Sequence, residues 1–362
     1  IPPDLSFRAA LSVSPFSDIL FNAGITLSDG TVTARSLEEL EDLLVAHGGT
    51  EVFARISTER HGSLHGEDRS LDQGVRRAGL ALSKGLPFNP ELGLFGTYGD
   101  VSCQTMPDFS DYPGIEVPGS WETLTVDQME PVLRAYGALA AGTILDAGAD
   151  IVIWDIGNEV DLGTAGVAPQ PLPGSGCDGT EGAPGWYRPP DGVDPAIGTE
   201  SVLSLLLMPV EERIAWLGEH VWPHEARLLA AAAEGIRSVD PGARFSTHIS
   251  NSTSPAFAVA FYEAMAAGGF VVDEIGFSFY PSADGEPGKL AALRSTVEAV
   301  QGTFGRPAFI AEFAYPAAPM DVGPFAGWDH EVPGYPVGGE GQAQLLRDLS
   351  SWAAATGVSG IR

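Results

Sequence analysis

The chain has 362 residues, of which 44% are hydrophobic, and it carries a formal net charge of −29. This length and apolar content suffice for a large core, and no linker-like break divides the chain, so we predict a single domain over residues 1–362. The strong negative charge argues against nucleic-acid or anionic-membrane partners. The lack of a run of about 18 apolar residues argues against a transmembrane helix.

Two features of the sequence bear on its compartment. The chain starts at Ile1 without an initiator methionine, which fits removal of a secretion signal and fits a trimmed chain equally well. Its two cysteines, Cys103 and Cys177, lie in polar loops rich in Gly and Pro. A disulfide between them and two free thiols are both compatible with this placement. We expect an extracellular protein.

Apolar strands alternate with amphipathic helices along the chain, which predicts a parallel sheet. The first helix begins after Ser36, whose hydroxyl can cap it while Glu39 completes a capping box. The later helices are predicted at about residues 71–83, 126–147, 226–238 and 341–355. The eight predicted strands lie at residues 7–13, 52–56, 92–98, 151–156, 244–249, 274–279, 308–313 and 358–361.

A long segment rich in Pro and Gly, at about residues 161–198, follows the fourth predicted strand and contains Cys177 and Trp186. Because it starts at the C-terminal end of a strand, we expect it to overhang the face on which barrel enzymes carry their chemistry. Eight strands in this alternation predict an α/β fold, namely a (β/α)8 TIM barrel with a long insertion after strand 4.

Two of the predicted strands deliver a carboxylate at their C-terminal end. Glu159 follows the apolar run at residues 151–156, and Glu312 lies between apolar neighbours in the strand at residues 308–313. A retaining glycosidase needs one carboxyl as acid and base and a second as nucleophile, about 5 Å apart. We interpret Glu159 as the acid/base and Glu312 as the nucleophile. The alternatives are a surface charge for Glu159 and a structural ion pair for Glu312.

Three polar residues are expected beside these carboxylates. Asn158 precedes the acid/base and has an amide that can bind the 2-OH of a sugar. Arg55 lies inside an apolar strand and needs an anionic partner, for which Glu312 is the natural candidate. Tyr280 ends the sixth strand, where its hydroxyl can donate to the nucleophile. A structural ion pair for Arg55 and plain aromatic packing for Tyr280 are the alternatives.

Further substrate contacts are expected on the same face. His248 ends the fifth strand, and Tyr98 and Asp100 follow the third. Trp186 and Trp328, in loops on this face, can stack on sugar rings or serve as buried anchors of those loops. A core hydrogen-bonded histidine is the alternative for His248.

Metal-binding patterns are weak in this sequence. His61 and His65 are four residues apart, as are His220 and His224, but neither pair belongs to an HExxH motif. Pro223 interrupts the second pair. We therefore predict no metal site.

In chain order, these residues resemble the motifs of glycoside hydrolase family 53, the endo-β-1,4-galactanases of clan A. The matching segments are Phe7–Ser12, Arg55, Tyr98–Asp100 with Pro107 and Trp121, Ile156–Glu159, Thr247–His248, Gly276–Pro281, Ile310–Glu312 and Glu340–Gln342. The Asn-Glu pair and the distal Glu are typical of the clan, and the fifth-strand and sixth-strand motifs point to this family.

The resemblance implies a retaining enzyme that cleaves β-1,4-galactan or a related polysaccharide. We expect no organic cofactor, and a structural calcium ion stays open without assigned ligands. Another linkage specificity within the clan, for arabinan, mannan or furanosides, also stays open. Two further alternatives are a carbohydrate-binding barrel that has lost catalysis and a metal-dependent barrel hydrolase.

Overall fold

The computed structural model describes residues 7–9, 20–62, 69–173, 175, 187–322 and 325–362. Its main sheet has eight strands within these ranges. They are β1 (Arg8–Ala9), β2 (Val52–Ile56), β3 (Phe88–Leu92), β4 (Trp154–Ile156), β5 (Phe245–Ile249), β6 (Glu274–Phe279), β7 (Ala308–Phe313) and β8 (Gly360–Ile361).

All neighbouring strands of this sheet are parallel, in the order β1-β8-β7-β6-β5-β4-β3-β2. This order follows a ring whose two ends are β1 and β2. Across the gap between them, the backbone N–H of Thr50 donates a 2.8 Å hydrogen bond to the carbonyl of Ala9. The predicted α/β barrel is thereby confirmed.

Nine α-helices in the described residues surround the sheet. They are α1 (Leu37–Ala46), α2 (Leu71–Lys84), α3 (Val126–Asp146), α4 (Val202–Leu207), α5 (Val210–His220), α6 (Trp222–Val239), α7 (Pro255–Ala267), α8 (Lys289–Phe304) and α9 (Gly339–Ala355). Two short antiparallel hairpins pair Leu27–Ser28 with Thr33–Ala34 and Gly99–Asp100 with Cys103–Gln104. None of these helices combines the length and apolarity needed to cross a membrane.

Local sequence signals set the ends of the early helices. Ser36 caps α1 by accepting a hydrogen bond from the backbone N–H of Glu39, as predicted, and Ser70 caps α2 through Gln73. Helix α2 ends at Gly85, whose φ of 65° is the left-handed conformation that glycine adopts without a steric penalty.

Glycines also bring α3 and α6 into close contact. A Cβ at Gly137 would lie 2.3 Å from the carbonyl oxygen of Ala232, and a Cβ at Gly235 would lie 2.1 Å from that of Arg134. Real side chains cannot make such contacts, so both positions require glycine to keep this helix spacing. Of the two helices, α6 packs against β4.

A polar layer lies inside the barrel beneath the C-terminal strand ends. The strand register places Arg55 of β2 beside Glu91 of β3, and Glu91 beside Asp155 of β4. Glu91 and Asp155 are fully buried, as is His248 of β5. Buried charges are stable only when they are paired, so this layer must satisfy its charges internally.

The structure corrects the bounds of two predicted strands. The third strand is Phe88–Leu92, not residues 92–98, because Asn89 and Glu91 point into the polar interior and make the true strand look less apolar than the segment after it. The fourth strand is shorter than predicted and covers Trp154–Ile156. Helices α4 and α5, which follow the insertion, were not predicted. Residues 10–13 of the first predicted strand lie outside the described residues.

Candidate active site

A sharp turn directly after β4 presents Glu159. Gly157 has a φ of 85°, and Glu159 itself has a φ of 45°, a conformation that costs free energy in a non-glycine residue and that clusters at functional sites. A Cβ at position 157 would meet Cγ1 of Val160 at 2.4 Å, so glycine is required there. The Glu159 side chain is buried beside Val101, whose backbone N–H donates to Oε2 over 3.5 Å.

This environment favours the protonated form of Glu159. Burial, and after it the negative charges of Glu312 and Asp100, raises the pKa of Glu159 to about 8. The carboxyl group is therefore largely protonated at neutral pH and can act as a general acid.

Glu312, near the end of β7, is surrounded by donors. The Arg55 guanidinium donates to Oε1, and the Tyr280 hydroxyl donates to Oε2 over 2.5 Å. Nε2 of His248 lies 3.7 Å from Oε1. Burial opposes ionisation, but Arg55, His248 and Tyr280 outweigh it and hold the pKa of Glu312 well below its usual range. Glu312 is thus an ionised carboxylate that is 17% exposed on its side chain.

His248 connects the two strand ends that carry these carboxyl groups. Its Nε2 donates a 2.9 Å hydrogen bond to Oδ1 of Asn158, and its Nδ1 lies 3.3 Å from Oδ2 of Asp155. Burial works against protonation of His248, but Asp155 and Glu312 outweigh it and raise its pKa to about 10. The Nδ2 of Asn158 donates to the carbonyl of Gly99 over 2.6 Å, which fixes the amide orientation.

The hairpin after β3 brings Tyr98 and Asp100 to the same region. The Tyr98 hydroxyl donates a 2.7 Å hydrogen bond to Oδ2 of Asp100, and Ser102 donates to Oδ1 through its backbone N–H and its hydroxyl. The charge of Asp100 is one cause of the raised pKa of Glu159. Asp100 therefore acts on the acid/base electrostatically, and the contact of Tyr98 and Asp100 with substrate stays a prediction.

The two tryptophans predicted to contact sugars have different outcomes. Trp328 is half-buried, and its ring centroid lies 5.2 Å from that of Tyr280 and 5.1 Å from that of Phe325. Trp328 therefore packs against Tyr280 and Phe325, and its contact with a sugar stays a prediction. Trp186 lies outside the described residues, so its role stays a prediction.

Sequence reasoning missed three charged residues that support the site. Glu91 accepts a hydrogen bond from Nε of Arg55. Arg362, which follows β8, donates to Oδ2 of Asp155 over 2.6 Å and lies 3.5 Å from Oε2 of Glu91. An acid inside the apolar strand 151–156 was a usable signal for Asp155. The sequence contains no such signal for Arg362, because only the closed barrel brings the end of the last strand close to β3 and β4.

Together these groups balance their charges. The cations are Arg55, His248 and Arg362, and the anions are Glu91, Asp155 and Glu312. With Glu159 protonated, three positive and three negative groups meet in the interior, so the buried layer carries no excess charge. Such balance is what makes buried ions tolerable.

Glu91, Asp155 and His248 also have ligand atoms within 4.8 Å of one another, a spacing that could hold a metal ion. However, the guanidinium of Arg362 contacts both carboxylates, and that of Arg55 contacts Glu91. A cation at this position would have to displace these arginines. The donor set therefore fits an ion-pair network better than a metal site.

Cys103 lies in the hairpin after β3 and is disulfide-bonded. Cys177, the other cysteine of the sequence, lies outside the described residues. A free thiol at Cys103 is thereby excluded, and its pairing with Cys177 stays a prediction.

Residues 191–361 match the family model "Glycosyl hydrolase family 53". A curated relative, an uncharacterized protein from the bgaB 5′ region of Niallia circulans, is 31% identical over 133 residues, which are 35% of each chain. The matched region thus spans about a third of that relative's length.

Two solved structures are similar over nearly the whole chain. A fungal β-1,4-galactanase is 20% identical, with 99% of this chain and 88% of that chain covered and a TM-score of 0.67. The family 53 catalytic domain from Ignisphaera aggregans is 18% identical, with 99% and 85% covered and a TM-score of 0.69. These likenesses establish the barrel fold. The family-model match confirms the resemblance to family 53 over residues 191–361, slightly less than half of the chain, and supports a glycoside hydrolase.

Proposed function

We propose that this chain is a retaining glycoside hydrolase that cleaves β-1,4-galactan by a two-carboxylate double displacement. The observation that carries the proposal is the opposite shift of two neighbouring carboxyl groups. The pKa of Glu159 is raised to about 8, whereas that of Glu312 is held well below its usual range. When the environments of two neighbouring titratable groups push their pKa values apart, one group can serve as the acid and the other as the nucleophile.

In the first step, Glu159 protonates the glycosidic oxygen while the Glu312 carboxylate attacks the anomeric carbon. The bond to the leaving sugar breaks, and a covalent glycosyl-enzyme forms on Glu312. Arg55 and Tyr280 hold the attacking oxygens in place before the reaction, so their alignment costs little at the transition state.

In the second step, Glu159 is ionised and removes a proton from water, which attacks the anomeric carbon and releases Glu312. The product keeps the configuration of the substrate. Asn158 has one amide hydrogen on Gly99, and its second hydrogen remains available to the 2-OH of the sugar. Its orientation is set by His248, which makes His248 a positioning residue.

The family match and the galactanase neighbours support galactan as substrate. A panel of galactan, arabinan, mannan and aryl furanosides, with product sizing, separates this specificity from the alternatives. Binding without turnover on every member would indicate a barrel that has lost catalysis. Activity abolished by exhaustive chelation and restored by a metal ion would indicate a metal-dependent hydrolase instead.

We also propose that the protein acts outside the cell. The disulfide at Cys103 supports this placement, because structural disulfides persist in oxidising compartments. No organic cofactor enters the proposed steps, since both carboxyl groups belong to the chain.

The test of the mechanism is azide rescue of Glu312→Ala and Glu159→Ala on a nitrophenyl galactobioside. Without azide, we expect Glu312→Ala to be inactive. With azide, it should give a glycosyl azide of inverted configuration, because azide enters the space left by the nucleophile. Glu159→Ala should give the azide of retained configuration. Glu298→Ala, on the exposed face of α8, serves as the control. Full activity of Glu312→Ala without azide would refute the assignment.

A further inference from the structure

The turn that carries Glu159 needs support from outside itself. Glu159 has φ 45° and ψ 56°, and a non-glycine residue keeps this left-handed conformation only when the surrounding structure holds it there. The residues that follow, Val160–Leu162, form a single short 3₁₀ turn, which has few hydrogen bonds of its own. The groups that fix this turn therefore also fix the position of the Glu159 carboxyl.

Asp161, two residues after Glu159, ties this turn to its neighbours. Its side chain is buried, and Oδ2 accepts a 2.6 Å hydrogen bond from the backbone N–H of Ser250. Oδ1 accepts from the backbone N–H of Asn251 over 2.7 Å and from the Ser250 hydroxyl over 3.1 Å. The carbonyl of Asp161 accepts from Nε1 of Trp222 over 3.0 Å. These bonds connect the turn to the segment after β5 and to the first residue of α6.

A second connection to β5 lies on the other side of Glu159. His248, the fourth residue of β5, donates from Nε2 to Oδ1 of Asn158 over 2.9 Å. Glu159 thus lies between two anchored residues, Asn158 and Asp161. Both anchors hold it to the C-terminal end of the same strand, so β5 sets the position of the Glu159 carboxyl through its two neighbours.

The contacts of Asp161 are those of an ionised carboxylate. Backbone N–H groups only donate, so both of its oxygens act as acceptors. Burial raises the pKa of Asp161, and the hydrogen bonds from Ser250 and Asn251 oppose this rise. Glu225 of α6 is fully buried, and burial, and after it the charge of Asp161, raises the pKa of Glu225 well above its usual range. Glu225 is therefore neutral and Asp161 is the anion, which the charge of Arg213 on α5 faces.

The charge of Asp161 also acts on the Glu159 carboxyl. After burial and the charges of Glu312 and Asp100, Asp161 is the next cause of the raised pKa of Glu159, and His248 acts in the opposite direction. Two tyrosines also face Glu159, and burial raises the pKa of each, so that both are neutral: Tyr98 and Tyr280. Asp161 thus affects the acid/base in two ways, through the turn and through its charge.

We propose that Asp161 is a positioning residue for the acid/base: by tying the turn after β4 to the end of β5, it holds the Glu159 carboxyl where it can protonate the glycosidic oxygen. This inference rests on the proposed retaining hydrolysis, in which Glu159 is the acid. Asp161 acts through Glu159, because its own oxygens are occupied by the donors of Ser250 and Asn251. A small displacement of a catalytic group is enough to slow the chemical step.

The test is Asp161→Asn, which keeps the size of the side chain, removes its charge and turns an NH₂ group towards one of the N–H donors. On a galacto-oligosaccharide we expect kcat/KM to fall about 10- to 100-fold. The loss should be about 10-fold smaller on a nitrophenyl galactobioside, whose leaving group needs little protonation. The basic limb of the pH profile should move from about 8 to a lower pH, by about 0.5–1, because a negative charge near Glu159 is gone.

Two further variants keep the test sharp. Ser250→Ala removes only the hydroxyl donor to Asp161, and we expect a loss of about 2- to 10-fold on the oligosaccharide that is smaller on the aryl glycoside. Asp273→Asn is the matched control. Asp273 also accepts from a backbone N–H, that of Phe245 at 2.9 Å, but it directly precedes β6 and thus lies at the opposite end of the barrel. It should leave the substrate ratio and the basic limb as in the wild type.

The outcomes separate this inference from the proposed function. A basic limb that does not move in Asp161→Asn, or equal losses on both substrates, would overturn the positioning role while leaving Glu159 as the acid. If urea denaturation shows that Asp161→Asn is unfolded, Ser250→Ala decides, and equal losses on both substrates would again overturn the role. A basic limb of the wild type that persists in Glu159→Gln would overturn the proposed function, and this inference with it.

Discussion

The hydroxyl of Tyr280 donates a 2.5 Å hydrogen bond to Oε2 of Glu312, which joins the end of β6 to the carboxylate on β7. The other carboxylate oxygen, Oε1, accepts from Arg55. Each oxygen of Glu312 therefore has its own donor. A carboxylate held in this way stays ionised and keeps its orientation, and both properties are required of a nucleophile.

Removing the Tyr280 hydroxyl should weaken this support. For Tyr280→Phe we expect kcat/KM to fall about 10- to 100-fold, because a hydrogen bond to a charged group is lost. The acid limb of the pH profile should shift upward, since the Glu312 anion is less stabilised. Tyr335→Phe, which loses only a partly buried hydrogen bond to Asp348, is the control. A pH–rate profile that matches the wild type would contradict this role of Tyr280.

The raised pKa of Glu159 predicts the basic limb of the pH profile. The acid works in its protonated form, so kcat/KM should be full below the pKa and should fall as the pH rises through about 8. In Glu159→Gln this limb should disappear. The loss of activity should also be smaller on nitrophenyl glycosides, whose leaving group needs little protonation. If the basic limb persists unchanged in Glu159→Gln, the titration of another group must cause it.

Arg362 should matter for stability as well as for the site. Arg362→Met leaves Asp155 and Glu91 buried without this cation, and we expect the free energy of unfolding to fall by about 3–5 kcal/mol. Arg306→Met is the control, because Arg306 is 45% exposed and 3.6 Å from Asp273. It should cost less than about 1 kcal/mol. Urea denaturation measures the free energy of unfolding of both variants. Equal midpoints for Arg362→Met and Arg306→Met would show that the buried ion pairs of Arg362 contribute no net stability.

The close contact of α3 and α6 gives a prediction about packing. In Gly235→Ala the added Cβ meets the carbonyl oxygen of Arg134 at 2.1 Å, so the helices must move apart. We expect a loss of about 1–3 kcal/mol in unfolding free energy. Gly79→Ala, with nothing within 4 Å of its Cβ, should instead stabilise α2 by about 0.5–1 kcal/mol. A neutral Gly235→Ala would mean that the helix pair tolerates a wider spacing.

The sequence contained enough information for the barrel and for several contacts of the site. The partnership of Arg55 with Glu312 was predicted because an arginine inside an apolar strand needs an anion, and the structure pairs them. The donation from Tyr280 to Glu312 was likewise predicted and is present. Both inferences worked because parallel strands place their C-terminal ends on one face.

The rest of the site depends on strand register, which a single sequence does not fix. The sequence pattern does not reveal Glu91, because it predicts a third strand that begins four residues too late and leaves Glu91 outside it. Arg362 reaches Asp155 only after β8 has closed against β7 and β1. The partners of a buried charge are set by the neighbouring strands, so only the folded barrel identifies them.

Mechanism-based labelling tests the central claim most directly. The full-length protein would be inactivated with a 2-deoxy-2-fluoro galactobioside that carries a good leaving group, then digested and analysed by mass spectrometry. Our account predicts one fluoroglycosyl ester, located on Glu312, because its carboxylate attacks the anomeric carbon. A label on Glu159, or turnover of galactan with inverted anomeric configuration and no labelled peptide, would contradict it.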